Sequence, residues 1–251
     1  KRAFFVLDWL KKYLSEVNKK INIRLVKGAY WDTEIKVAQE QGFIDYPVFT
    51  KKFATDISYL ACAHKLYDNV NVFSQFATHN AHSISYIKTL FKDRDFEFQK
   101  LHGMGDEIYN HFTNTTNFSC RVYAPVGGYN DLLPYLVRRL LENGANTSFI
   151  HQLNKKDADI DSLIKSPLSK INKIDYNQIN KPENIFFGRK NSLGIDLTEE
   201  NNIELFSNLE NIENVKPTSV VNGSDKFTDV KEVIVSPYNR LKILGEVYYA
   251  D

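Results

Sequence analysis

The first 150 residues alternate strand-like and helical runs four times over, and this alternation is the strongest constraint on what the chain can fold into. Lys1 to about Val17 has helical periodicity, with Phe4, Phe5, Leu7, Leu10 and Leu14 on the side expected to be buried. INIRLVKGAYW (21–31) reads as a strand, and roughly 47–68, with Phe49, Phe53, Ile57, Leu60, Ala61 and His64, as a helix. NVNVFSQFATHN (69–80), FEFQKLHGMG (96–105) and FSCRVYAPVG (118–127) read as three more strands. Helices follow them at Ala81 to about Phe91, across Asp106–Phe112, and beyond Gly128. Repeated βα units predict a parallel sheet. A flat doubly wound sheet and a (β/α) barrel are both compatible with that pattern. The barrel is favoured because polar residues sit at the C-terminal end of every strand, at 27–31, 78–80, 99–105 and 123–127. Four units make half of an eight-stranded barrel, which leaves unpaired edges and an open core. The expected fold is therefore α/β, the second half of a (β/α)8 TIM-type barrel or a piece of one. The opening KRAFFVLDWL, without a methionine, fits a segment of a longer polypeptide.

The helix after the last strand is amphipathic. At about 100° per residue, Leu132, Leu133, Leu136, Val137, Leu140 and Leu141 share one half, and Tyr135, Arg138, Arg139 and Glu142 share the other. Two adjacent arginines beside a tyrosine make a fork suited to a carboxylate. Taken alone, such a face also fits an ordinary solvated helix side.

With 32 basic and 31 acidic residues, no charge excess points to nucleic acid or an anionic membrane. No run reaches the ~18 apolar residues of a membrane span, and the N-terminus does not read as a signal peptide. Cys62 and Cys120 lie far apart without CxxC spacing, which argues for a reducing compartment and against a disulfide framework or structural zinc.

Three further constellations carry chemistry. RLVKGAYWD (24–32) places Arg24 and Lys27 on one strand before Gly28 and Ala29, where a ligand can approach the backbone closely. ATHNAH (77–82) holds His79 and His82, but a metal site needs further ligands that the spacing does not supply. QKLHGMGD (99–106) sets two glycines before a helix without completing GxGxxG. No GxSxG elbow, HExxH or P-loop is present, and no nucleophile with a paired base. Cationic strand ends without these devices point to a cofactor that carries the reaction.

Beyond residue 153 the character changes. Residues 154–184 are polar, with scattered Ile and Leu, and read as a linker with one short helix. Residues 185–251 read as the start of another domain. There Thr198, Glu199 and Glu200 form a helix-capping signal, and strand-like runs flank the turn dipeptide Asn222-Gly223.

RLVKGAYWD, FATHNAH, FQKLHGMGD and RVYAPVGGYNDLLPYLVRRLLENGANTSF, in this order and spacing, resemble the proline dehydrogenase barrel of the bacterial proline utilization A flavoenzymes over roughly residues 1–153. IFFGRKNSLGIDLT resembles the entry to the second domain of those bifunctional enzymes, an L-glutamate-γ-semialdehyde dehydrogenase. The resemblance implies FAD-dependent oxidation of L-proline to Δ1-pyrroline-5-carboxylate, with electrons passed to quinone at the membrane. The second domain then oxidises the semialdehyde to glutamate with NAD. By the same resemblance Arg24 lies near flavin N5. Val26, Lys27, Gly28, Ala29 and Trp31 line the FAD, as do Thr78, His79, Asn80, Gln99 and Glu142, the last also in the polar wall beside the arginines. Tyr123, Tyr135 and Leu101 shape the proline pocket, and Arg138 and Arg139 bind the proline carboxylate. Arg24, Tyr123 and Tyr135 are the expected catalytic residues, and no resident metal is expected.

The pattern is incomplete in three respects. The pocket lysine and aspartate that the family takes from earlier strands are absent, as are the dehydrogenase cysteine and any DNA-binding segment. The chain is thus expected to need the rest of the same polypeptide, to bind no nucleic acid through this segment, and to be cytoplasmic and peripherally membrane-associated, with a homo-oligomer left open. Two other readings remain at this point: a non-catalytic half barrel, and a metal-dependent lyase using His79, His82 and His102.

Overall fold

The structure is a computed structural model. It describes residues 1–28, 30–115, 118–144, 161, 165–173, 179–199, 202–204 and 216–250, with the side chains of 112–115, 142–144 and 172–173 outside that description. Two compact units result, Lys1–Gly194 and Ile195–Asp251.

In the first unit the order is α1 (Ala3–Glu16), β1 (Ile21–Val26), α2 (Trp31–Glu40), α3 (Lys52–Tyr67), β2 (Val72–Ala77), α4 (Ala81–Leu90), β3 (Phe96–Leu101), α5 (Asp106–Thr115), β4 (Ser119–Tyr123) and α6 (Tyr129–Gly144). The four strands form one parallel sheet in the sequential order β1-β2-β3-β4. Strand alternation decides which side of this sheet is covered. Ile21, Ile23 and Leu25 of β1, Val72 and Phe76 of β2, Phe96 and Phe98 of β3, and Cys120 of β4 all point to one face. There they meet Leu7 and Leu14 of α1, Tyr59, Cys62, Ala63 and Leu66 of α3, Ile84 and Ile87 of α4, and Tyr109 of α5. Aromatic rings fill the middle. Phe76 lies 4.9 Å from Phe91 and 5.9 Å from Phe96, and Phe96 lies 5.0 Å from Phe98, at the tilted and edge-on geometries that ring quadrupoles favour.

The opposite face carries Asn22 and Arg24 of β1, Gln75 of β2, Glu97 and Gln99 of β3, and Arg121 of β4. A doubly wound sheet reverses its strand order and packs helices on both sides. Here the order does not reverse, and the packed helices share one side.

Several elements differ from the sequence reading. The strand expected over 21–31 stops at Val26, and Trp31–Glu40 is a helix that the sequence reading did not contain. Its apolar face is only Ile35 and Ala38, too few to stand out by periodicity. The helix expected from 47 starts at Lys52, because Lys51 is extended (φ −121°, ψ 130°). Phe5 is 69% exposed instead of buried. Adjacent helix positions differ by about 100°, so Phe4 takes the core side and Phe5 meets it edge-on at 5.8 Å.

The end of α2 is built around Gly42. Its φ of +65° allows the Gly42 N–H to bond Gln39 O (3.3 Å) and the Phe43 N–H to bond Ala38 O (3.0 Å), the helix-ending pattern that a left-handed residue makes. Residues 179–194 return to this corner. Ile179 packs on Ile35, Ala38 and Tyr46, the Tyr46 hydroxyl donates to Asn180 O (2.7 Å), and the Gly194 N–H donates to Gly42 O (2.9 Å). Residues 154–160, 162–164 and 174–178 of the expected linker lie outside the described residues, and Pro167–Lys173 forms a 3-10 turn.

The second unit holds two antiparallel hairpins, β5 (Ser219–Val221) with β6 (Ser224–Lys226), and β7 (Lys231–Val235) with β8 (Ile243–Tyr248). Asn222 and Gly223 join the first pair, both at positive φ (51° and 76°), as a two-residue turn matched to strand twist requires. The helix expected after Thr198 falls largely outside the described residues. No helix among the described residues is long and apolar enough to cross a membrane.

Candidate active site

The C-terminal ends of the four strands and the polar side of α6 bring most of the expected residues together. Arg24, on the open face of β1, holds its guanidinium carbon 5.5 Å from the Tyr123 ring centroid at the end of β4. Those strands are three pairings apart, about 14 Å in a flat sheet. Their side chains converge because the open face is concave. Val26, on the same face as Arg24, is exposed, and at Gly28 an added Cβ would meet nothing within 4 Å.

The β2 end is tightly organised. The Asn80 side chain accepts from the Ser83 N–H (2.9 Å) and caps α4, while Thr78 Oγ1 accepts from the Asn80 N–H (3.2 Å). His79 Nε2 accepts a long bond from the Leu101 N–H (3.4 Å), which leaves the proton of the neutral ring on Nδ1. An added Cβ at Gly105 would press on the His79 ring at 2.9 Å, so the glycine makes room for the imidazole. Burial, and then the positive charges of Lys100 and Arg139, pull the His79 pKa below 6.5.

At the level below, Glu97 forms a hub. Its Oε1 accepts from Gln75 Nε2 (2.9 Å), Gln99 Nε2 (2.8 Å) and Arg121 Nε (2.9 Å), and its Oε2 accepts from Arg121 Nη2 (3.0 Å). The bonds from Arg121 hold the Glu97 carboxyl below the usual carboxylate range.

Helix α6 reverses the usual sense of amphipathicity. Leu133, Leu136, Val137, Leu140 and Leu141 are exposed, while Tyr135, Arg138 and Arg139 are half-buried. Arg138 lies over the Tyr30 ring at 4.7 Å, and Arg139 over the Tyr135 ring at 5.3 Å. The arginine face is thus turned towards the strand ends, reaching the loop after β1 on one side and His79 on the other.

Other expected residues take different places. The Lys27 ammonium is turned to the helix side, where it pairs with Asp56 Oδ1 (2.5 Å), donates to Ser83 Oγ (3.2 Å) and sits 5.1 Å from the Tyr59 ring. Burial pulls its pKa down against that carboxylate. Burial alone would raise Asp56, but Lys27 and Lys52 hold it below its usual range. Trp31 donates to Phe49 O (2.8 Å) at the start of α2. Leu101, by contrast, stays on the open face, buried and paired in register with Tyr123. Ala29 and the Glu142 side chain lie outside the described residues. His82 stacks on Tyr86 instead of joining His79, and among the described residues no three His, Cys, Asp or Glu gather as a metal site.

Glu97, Gln75, Arg121, Tyr30 and Asp56 were not singled out from the sequence. For Glu97 a signal existed: FEFQ puts Glu97 and Gln99 two apart, on one strand face. Nothing local foretells its Arg121 partner, 24 residues on.

The proline dehydrogenase family profile matches residues 1–152. The chain belongs to the proline dehydrogenase family. It is 43% identical over 227 residues to the bifunctional protein PutA of Klebsiella aerogenes, covering 82% of this chain and 17% of that protein. A mutant of proline utilization A from Bradyrhizobium japonicum superposes with a TM-score of 0.76 at 42% identity, over 82% of this chain and 22% of that one. Proline utilization A from Bdellovibrio bacteriovorus, inactivated by N-propargylglycine, superposes with a TM-score of 0.74 at 26% identity, over 100% of this chain and 26% of that one. The chain therefore spans about a fifth of the length of these family members.

In this proline dehydrogenase family chain the half-buried His79 predicts a pH response. The folded pKa of His79 is lowered below its unfolded value near 6.5, and burial lowers His82 in the same sense. An unfolded chain then binds more protons than the folded one as the pH falls, so stability present above about pH 6.5 is lost on acidification. The melting temperature should fall between pH 7.5 and 5.5, and His79→Gln should remove part of that slope. An unchanged slope would show that His79 is not buried as a neutral ring.

Proposed function

We propose that this chain carries the catalytic mouth of a proline dehydrogenase that oxidises L-proline to Δ1-pyrroline-5-carboxylate with FAD. The observation that carries the reading is the placement of Tyr135, Arg138 and Arg139, half-buried and turned towards the concave strand ends where Arg24 meets Tyr123. Two adjacent guanidinium groups on the half-buried side of a helix that leaves its leucines exposed form a forked cationic wall, and such a fork matches a substrate carboxylate. Non-catalytic half barrel or metal site, the other readings, find no such use for the arginines.

The donor set suits a flavin. Arg24 forms no ion pair among the described residues, so its donors remain available to an electron-rich ring. Gly28 opens onto empty space, and His79 is a neutral donor at its Nδ1. Thr78, Asn80 and Gln99 add polar atoms along the same rim. Lys27 contributes to this rim through its backbone, its ammonium being tied to Asp56. FAD, when bound, supplies the acceptor for the hydride leaving the proline ring.

This chain's own residues do the positioning. Arg138 and Arg139 neutralise the proline carboxylate and fix its direction, so the ring approaches at near-attack distance. Tyr123, Tyr135 and Leu101 wall the pocket and exclude water. Arg24 presents positive charge where negative charge develops during the oxidation.

The sequential strand order, the helices on one side and the concave polar face support reading the sheet as the second half of an eight-stranded barrel. The superposition over the whole chain supports reading 185–251 as the start of the aldehyde dehydrogenase domain, whose NAD chemistry lies elsewhere in the polypeptide. Quinone at a membrane as electron acceptor and a cytoplasmic, peripherally membrane-bound location belong to the same proposal. The test is the full-length polypeptide. It should purify with flavin absorbance and reduce an artificial electron acceptor when L-proline is added. A flavin-free protein, or one indifferent to proline, rejects the reading.

A further inference from the structure

We propose that Glu97 is a positioning residue for the flavin site, acting through Gln99 and Arg121; this rests on the reading of the strand ends as that site. Glu97 is 4% exposed, yet it lies on the concave polar face and not among the helix-side core residues. Its carboxylate receives four bonds, from Gln75, Gln99 and twice from Arg121. A carboxylate held ionised can only accept. It therefore selects the amide nitrogen of Gln99, which turns the Gln99 carbonyl oxygen towards the remaining space. Gln99 stands one step nearer the strand ends, on the same face and paired in register with Arg121. The amide orientation at the rim is thus dictated by a charge beneath it.

The charge matters as well as the bonds. Among the described strand residues of the concave face Glu97 is the anion, and it offsets Arg121 beside it and Arg24 one strand beyond Gln75. Positive charge near a flavin favours its reduced form, and negative charge opposes it. Glu97 thereby sets how strongly the cationic rim acts on the cofactor.

The experiment uses the flavin-loaded full-length polypeptide and the variants Glu97→Gln and Arg121→Gln. Each is measured for flavin reduction potential, visible absorption bands, FAD affinity and melting temperature. Glu97→Gln should move the potential to more positive values and shift the bands. Arg121→Gln should move the potential the other way. In a Gln99→Met background, Glu97→Gln should shift the bands less than it does alone, because the two act as a unit. A network that only holds the sheet together would lower the melting temperature in both variants without moving the potential, and that result overturns the inference. So does a shift of the same sign in both. If Glu97→Gln fails to fold, Arg121→Gln decides alone, since that side chain is 65% exposed; an unmoved potential is then fatal. A wild-type protein without flavin rejects the site reading itself, and this inference with it.

Discussion

Arg139→Ala in the full-length protein is expected to lower kcat/KM for proline by about 10- to 100-fold, and Arg138→Ala by a similar factor. A hydrogen bond to a charged group contributes about 1.5–3 kcal/mol, which sets that range. The loss should appear mainly as a raised KM, because carboxylate contacts are made in the ground state and the transition state alike. Both guanidinium groups are stacked on tyrosines, Arg138 over Tyr30 and Arg139 over Tyr135, so they are held before substrate arrives. Lysine should restore little at either position, since it lacks the planar fork and stacks less well on a ring. Steady-state kinetics with proline settle the matter. If both alanine variants keep normal proline kinetics, the carboxylate belongs elsewhere and the proposed orientation of the substrate is wrong.

Phe76→Ala is expected to cost about 3–5 kcal/mol of folding stability, as truncation of a large core aromatic does. Phe76 is fully buried near the C-terminal end of β2, with Phe91 and Phe96 against its ring. Removing it leaves a cavity beneath the strand that leads into Thr78, His79 and Asn80. The same variant should therefore hold flavin less tightly, although Phe76 faces the helices and not the site. Phe76→Met fills much of the space and should cost well under half as much. Denaturant titration measures both. An alanine variant within about 1 kcal/mol of the parent would contradict the packing described, given the size of the group removed.

These two residues show where the sequence was legible. Phe76 belongs to an alternating run whose period identifies a strand and its buried face without knowledge of partners. The same holds for the helix from Ala81 to about Phe91 and for the Asn222-Gly223 turn, both decided within a few residues. Helix α2 was not legible, because two buried side chains over ten residues carry no usable period. Phe5 lies outside the core because adjacent helix positions point about 100° apart, and periodicity alone does not say which of the two phenylalanines faces the sheet.

The site divides in the same way. The grouping of Tyr135 with Arg138 and Arg139 follows from helical spacing alone, and the strand ends near Arg24, Gly28 and His79 follow from the strand-to-helix alternation. Their use does not. An isolated amphipathic helix would be expected to bury its leucines and solvate its arginines, yet α6 does the reverse, and that choice depends on what the concave sheet presents to it. The pairing of Lys27 with Asp56, the convergence of Arg24 on Tyr123, and the bonds from Gln75 and Arg121 to Glu97 join residues 22 to 99 positions apart. Local sequence determined the elements, their polar ends and the family, because backbone periodicity and turn chemistry are short-ranged. Only the tertiary structure decided which charges meet, because a buried charge takes its partner from wherever the sheet's curvature brings one within reach.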